Sequence, residues 1–238
     1  MQSSSAKYET DRKQEEAIME ALFETGWRQV EKCRTTDEAM FYLGGSYGQR
    51  RVCYVRHGEN PDEKLKYVKR DDFALGFMVW AGVCCRGKTT VHFIDRKAKV
   101  NADYYIKHVL QPFLKRDFPI LFPGDDRKEM VFQQDSASSH TAKHTLEFLR
   151  ENNIKYITPD EWMPKSPDAA PMDYSIWGTL KRRLQKHKLR TLNGLKAALK
   201  RDWKELSQSV INRALSTWPR RCRLIYYAHG FHIEHLLQ

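Results

Sequence analysis

Cysteine is scarce. The five present, Cys33, Cys53, Cys84, Cys85 and Cys222, are an odd number with no Cys-x-x-Cys pair, which excludes a disulfide frame and a zinc ribbon. They read as reduced, mostly buried thiols. No apolar run approaches the ~18 residues of a membrane span, and the polar N-terminus carries no secretory leader pattern. The expectation is a soluble, intracellular protein without a membrane partner. Internal repeats and low-complexity tracts are missing too, so collagen, mucin and acidic-tail classes fall away. What is present describes one ordinary domain: 238 residues, 41% apolar, enough to bury a core. Lys and Arg number 41 against 30 Asp and Glu, a net +11. That balance suits a polyanionic partner, a membrane surface or mere solubility.

Hydrophobic periodicity sketches the fold. Residues 8–27 are charge-rich, with Ile18, Met19, Leu22 and Phe23 on one helical face, and read as a lead-in helix. Short strand-like runs follow over 38–43, 51–56, 77–83 and 89–94, punctuated by Gly44, Gly45, Gly48 and the segment 57–61. The last two make a hairpin. Asn101 is placed to cap a helix through Tyr105, Val109, Leu110, Phe113 and Leu114. A strand over 130–134 ends on Asp135, a helix spans 141–152, and a further strand covers 155–158. A proline-rich loop then leads to a helix with Met172, Ile176, Leu180 and Leu184 on one side, and two amphipathic helices fill 191–229. Antiparallel strands followed by alternating strands and helices predict an α/β domain with a mixed sheet and right-handed crossovers.

Three acids stand where such a fold could gather them: Asp37 at the head of the first run, Asp135 at the end of a buried strand, and Asp173 in the first turn of a helix. On neighbouring strands, Asp37 and Asp135 could lie about 5 Å apart. Carboxylates that close cannot all stay ionised without cations, and hard oxygen donors select Mg²⁺ or Mn²⁺; two such ions suit phosphoryl displacement. The alternative is ordinary capping, since an acid at a helix start or after a strand often does no more. The pairs Asp71–Asp72 and Asp125–Asp126 sit in polar stretches and read as solvated. No Ser-His-Asp or Cys-His arrangement suggests a protein nucleophile.

Positive charge concentrates beside Asp173. Lys181, Arg182, Arg183, Lys186, Lys188 and Arg190 have no acid among them and extend the helix that carries Asp173, so a phosphate backbone along it would arrive at the acids. A solvated helix face is the alternative. Arg220, Arg221 and Arg223 form a second basic group. His229, His232 and His235 step in threes and spread around a helix, which converges poorly on zinc. Trp80, Trp177, Trp203 and Trp218 read as core.

These motifs have a family likeness. Thr-Thr-Asp-Glu-Ala-Met-Phe at 35–41, Val-Phe-Gln-Gln-Asp-Ser-Ala-Ser-Ser-His at 131–140, and Lys-Ser-Pro-Asp-Ala-Ala-Pro-Met-Asp-Tyr-Ser-Ile-Trp at 165–177 resemble the catalytic core of Tc1/mariner-family DNA transposases. The hairpin at 77–95 is similar to the family's second and third strands. Residues 136–172 separate the last two acids, a DD37D spacing similar to the maT branch of the mariner group. The resemblance implies an RNase H-like, five-stranded mixed sheet flanked by helices. Residues 1–34 are then a linker and 35–238 the catalytic domain, with a clamp-like insertion at 44–70 and C-terminal helices at 191–238. It implies Asp37, Asp135 and Asp173 as catalytic ligands of two Mg²⁺ or Mn²⁺ ions. It further implies cut-and-paste cleavage at transposon ends with strand transfer to target DNA, a homodimer, action in the nucleus and no small-molecule substrate. His140 matches a family histidine and is a candidate for contact with DNA or with water at the metal site; a local hydrogen bond is the alternative. Asp168 takes a structural part, and Glu38, alternating to the opposite strand face, is not a ligand. Ser136 stands where the family usually has Asn. The family's helix-turn-helix units find no counterpart here. The rival reading is therefore a truncated or domesticated core that binds DNA or dimerises without transposing.

Overall fold

The computed structural model describes residues 33–43, 75–95, 98–162, 167–187, 189–228 and 233–237. The expected helix over 8–27, the strand over 51–56 and the insertion over 44–70 lie outside them, as do Lys188, His229 and His232.

Strand β1 (Cys33–Tyr42) is the middle of the sheet. On one side β2 (Gly76–Cys84) pairs with it antiparallel, from Thr35 opposite Val83 to Tyr42 opposite Gly76. Two short strands, β3 (Gly87–Lys88) and β4 (His92–Ile94), both pair with the outer edge of β2. On the other side of β1 lies β5 (Val131–Gln133), parallel, and beyond it β6 (Lys155–Tyr156), also parallel. Six strand segments thus occupy five positions, which is the expected mixed sheet. β3 and β4 are one strand interrupted by a bulge: the register passes from Val83 opposite Lys88 to Trp80 opposite His92, with one extra residue between. Thr89 closes this bulge, its hydroxyl accepting from the Gly82 N–H at 2.9 Å.

β1 begins at Cys33 rather than at residue 38. The charged Arg34 obscures it in the sequence, yet Arg34 is fully buried, its guanidinium 4.5 Å from the Phe113 ring centroid and 6.0 Å from that of Phe122. Gly82 leaves room for it, since a Cβ there would lie 3.3 Å from Arg34 Nε. Three guanidinium nitrogens lack hydrogen-bond partners, and burial lowers the Arg34 pKa to about 10.

Strand alternation divides the core between the two faces. Ala39, Phe41, Phe77, Val79, Ala81 and Val83 face one way; Trp80, Cys84 and Phe132 belong to the other core. Helix α1 covers the second face as consecutive segments Ala102–Tyr105, Ile106–Leu110, Phe113–Asp117 and Phe118–Leu121, the middle two in wider π-helical turns. Asn101 caps it as expected, its side chain accepting from the Tyr104 N–H at 2.9 Å. The helix expected over 141–152 is two pieces, α2 (Ser138–Thr141) and α3 (Lys143–Glu151), because Ala142 is extended at ψ 137°. Leu149 of α3 joins Tyr105, Val109 and Phe113 of α1 over Phe132. The first face is covered by α4, π-helical over Met172–Trp177 and α-helical over Gly178–Gln185, together with α5 (Leu192–Lys204) and α6 (Gln208–Tyr227). Among the described residues no helix is long and apolar enough to cross a membrane.

Candidate active site

The β1–β5 ladder ends with Thr35 opposite Gln133. Carrying that parallel register two residues onward puts Asp135 level with Asp37, at a strand spacing of about 5 Å. Asp37 lies within β1 rather than at its head, and Asp135 follows β5 in an open loop rather than ending the strand. The third acid arrives on α4. Asp173, Trp177 and Lys181 are four residues apart and share one helix face. From Asp173 to Lys181 the helix rises about 12 Å, nearly the ~13 Å from Asp37 to Phe41 along the strand. The contacts follow that match: Asp173 comes close enough to Asp37 to perturb its ionisation, Trp177 Nε1 donates to Asp37 Oδ2 at 2.8 Å, and Lys181 Nζ sits 5.7 Å above the Phe41 ring. Trp177 packs edge-on to Phe41 at 5.8 Å and stacks on Trp203 at 6.1 Å.

Burial, the Asp173 charge and the Glu38 charge hold the Asp37 pKa well above the usual carboxylate range, against the Trp177 hydrogen bond. Loss of solvation and the Asp135 charge push Asp173 up to about 6, opposed by the bond to Asp37 and the Lys181 charge. Both groups of the pair thus ionise less readily than free carboxyls, because they are buried close to other acids.

Asp135 behaves differently. Its Oδ1 accepts from the Ala137 N–H at 3.0 Å and meets His140 Nδ1 at 2.6 Å. Burial raises its pKa, but the His140 bond, the His140 charge and the Ala137 bond outweigh that and bring it below the ordinary value. Likewise burial lowers His140, while bonds to Asp135 and Glu38 push it up to about 10. His140 is 2% exposed, with Nε2 3.2 Å from Glu38 Oε1 and its ring 4.2 Å from that of Tyr105. α2 thus turns the ring inward and engages it in local hydrogen bonds. Glu38 does point to the opposite face from Asp37, as alternation requires, but that face also belongs to the site through His140.

Among the described residues no three His, Cys, Asp or Glu groups form a ready-made metal cage. The acids are paired instead, Asp37 with Asp173 and Asp135 with His140. Their donor set still fits a hard divalent cation: three carboxyls lie near enough to repel one another at one end of the sheet, a repulsion that a cation would relieve.

The basic residues divide. Lys181 is half-buried and faces the acids, whereas Arg183 approaches Lys88, whose pKa its charge depresses in addition to burial. Arg182, Lys186 and Arg190 are exposed. α4 ends at Gln185, so the series through Arg190 does not continue one helix as expected. Arg221 is committed elsewhere: it donates to the Asp168 carbonyl at 3.2 Å and Glu234 at 3.0 Å, and lies 3.9 Å from the Tyr174 ring centroid. Asp168 accepts from the Ile233 N–H at 3.3 Å, a structural role. Trp177 was legible only as core; its place four residues after Asp173 is the signal that connects it to the acids.

The chain as a whole has counterparts among known proteins. Over 200 residues the chain is 31% identical to the Tcb2 transposase of Caenorhabditis briggsae, covering 82% of this chain and 67% of that protein. This chain belongs to the Tc1/mariner transposase family. The Tc1 transposase of Caenorhabditis elegans is 26% identical over 199 residues, with 82% of this chain and 67% of the relative covered. No family model matches. Among solved structures, the Mos1 transposase in a paired-end complex with the left transposon end superposes with a TM-score of 0.73 at 19% identity, over 95% of this chain and 63% of that one. The catalytic domain of Mos1 mariner transposase gives 0.67 at 17% identity, over 95% of each chain. The Tc1/mariner catalytic fold, RNase H-like, is thus present, while the chain spans 37% of the Tcb1 transposase of Caenorhabditis briggsae and 63% of the Mos1 chain in the paired-end complex.

Proposed function

We propose that this chain is the catalytic part of a cut-and-paste DNA transposase, cleaving transposon ends and joining them to target DNA. The observation that carries it is the convergence of Asp37, Asp135 and Asp173 at one end of the sheet in a family member. These residues would hold Mg²⁺ or Mn²⁺, two ions in the full reading. Bound there, such cations supply the positive charge and Lewis acidity that phosphodiester displacement needs. The protein's own groups do the rest. Asp37 and Asp173 present their carboxyl oxygens, Trp177 keeps Asp37 oriented, and Lys181 places a positive charge beside them where an incoming phosphate is held. Arg182, Lys186 and Arg190 then contact the DNA backbone without reading sequence. Support comes from Mos1, whose paired-end complex exists with Mn and with Mg and which also forms a strand transfer complex. The working form is proposed as a homodimer acting in the nucleus, where its DNA substrate lies.

The test uses duplexes bearing the terminal inverted repeats that flank the gene, precut or intact, with Mn²⁺. Cleavage or joining by the wild-type chain, lost in Asp135→Ala and Asp173→Ala, is the expected result. Activity that survives either substitution overturns the catalytic assignment. DNA binding without any cleavage would favour the DNA-binding module instead.

A further inference from the structure

The two neighbouring acids of β1 point to opposite faces, and both lead to the same site. Asp37 reaches Asp173 and Trp177 on the α4 side. Glu38 reaches the other side, where its Oε1 lies 3.2 Å from His140 Nε2, and His140 Nδ1 lies 2.6 Å from Asp135 Oδ1. We propose that Glu38 and His140 are positioning residues that fix the Asp135 carboxylate toward the cation site. This rests on the metal-dependent reading above and adds a residue that reading does not use.

The geometry makes the chain of contacts rigid. β1 fixes the Glu38 backbone against β2, where it stands opposite Trp80. The His140 ring is packed against Tyr105, whose hydroxyl donates to Gln134 Oε1 at 2.9 Å. Gln134 Nε2 in turn donates to the His140 carbonyl at 3.2 Å, so the ring and its backbone are held together with the residue preceding Asp135. Asp135 itself sits beyond the end of β5, where no ladder bond restrains it. Among the described residues, the Ala137 N–H and His140 grip it, both at Oδ1. An imidazole anchored at its far nitrogen by a carboxylate is the arrangement that orients ligands around metals in general; here the oriented ligand is a carboxylate and the imidazole stands behind it.

The experiment compares the wild-type chain with Glu38→Ala, Glu38→Gln and Asp135→Ala. One readout is Mn²⁺ affinity, from the electron paramagnetic resonance signal of the free ion. The other is hydrogen exchange of the Ala137 amide in metal-free protein, which reports directly whether Asp135 stays in place. Glu38→Ala is expected to weaken Mn²⁺ about tenfold, the lower end for removal of an outer positioning group, and to speed Ala137 exchange. Glu38→Gln keeps an oxygen that accepts from His140 and is expected within about threefold of wild type, on the same reasoning. It also serves if Glu38→Ala does not fold. If Glu38→Gln falls as far as Glu38→Ala, the effect is one of charge and the proposal is overturned. Glu38→Ala with unchanged affinity and exchange overturns it as well, while loss of binding in Asp135→Ala then leaves the cation site standing. Unchanged Mn²⁺ binding in Asp135→Ala removes the site and this proposal together.

Discussion

Replacing Trp177 by Phe isolates one hydrogen bond at the acids. The ring that packs on Phe41 and Trp203 is largely kept, and the donor 2.8 Å from Asp37 Oδ2 is lost. A bond to an ionised carboxylate is worth about 1.5–3 kcal/mol and one to a neutral group about 0.5–1.5. Cation binding requires Asp37 ionised, whereas burial and the neighbouring acids favour its neutral form in the free site, so only the difference counts. That difference is about 1.4 kcal/mol, or tenfold in affinity. Mn²⁺ titration at pH 7 is therefore expected to show about tenfold weaker binding, with a folding loss of about 1 kcal/mol in urea. The control is Trp203→Phe, which removes a comparable bond, to the Thr89 carbonyl at 2.7 Å, away from the acids. Its Mn²⁺ affinity should match wild type. Equal weakening in both variants, or none in Trp177→Phe, would refute the assignment of Trp177 to Asp37.

Asp117 offers a pH test. Burial raises its pKa, but His92, the Thr90 hydroxyl and N–H, and Arg116 hold it down to about 2. With the folded value below the unfolded one, Asp117 contributes about 2 kcal/mol above pH 4, and this fades as pH falls toward 2. Asp117→Asn should accordingly cost that much in urea unfolding at pH 6 and markedly less at pH 3; an equal cost at both would contradict it. Arg182→Ala should weaken DNA binding similarly for all sequences and lower the salt slope by about one, read from binding between 50 and 200 mM salt. Arg221→Ala loses its ties to Asp168, Glu234 and Tyr174 and should reduce stability by about 2 kcal/mol in chemical denaturation. Gly82→Ala puts a Cβ 2.6 Å from Thr36 Cγ2 and 3.0 Å from the Thr35 carbonyl, and should destabilise by about 1–3 kcal/mol in the same assay.

Periodicity exposed the elements whose burial repeats regularly. The hairpin, the Asn101 cap and the α4 stripe of Met172, Ile176 and Leu180 could be read because local chemistry and tertiary burial agree there. The start of β1 could not, since Arg34 reads as a surface residue until Phe113 and Phe122, far along the chain, supply its surroundings. The break at Ala142 likewise has no Gly or Pro to announce it. At the site, the three acids could be chosen by motif, but not their pairing. Whether a carboxyl meets another acid or a histidine depends on the α4 approach and the α2 turn, neither of which is encoded within a few residues of it. Trp177 and Glu38 were hidden for the same reason: each was assigned the role its own element suggests.

The adjacency of Asp37 and Glu38 has a consequence for how this strand tolerates change. A slip of β1 by a single position would exchange the two acids between faces, sending the longer side chain toward Trp177 and the shorter toward His140. Insertions or deletions within 33–37 that shift the strand would turn Ala39 and Phe41 out of their core along with the acids, and so should cost chemistry and folding together, whereas length changes beyond Tyr42 leave this handedness untouched.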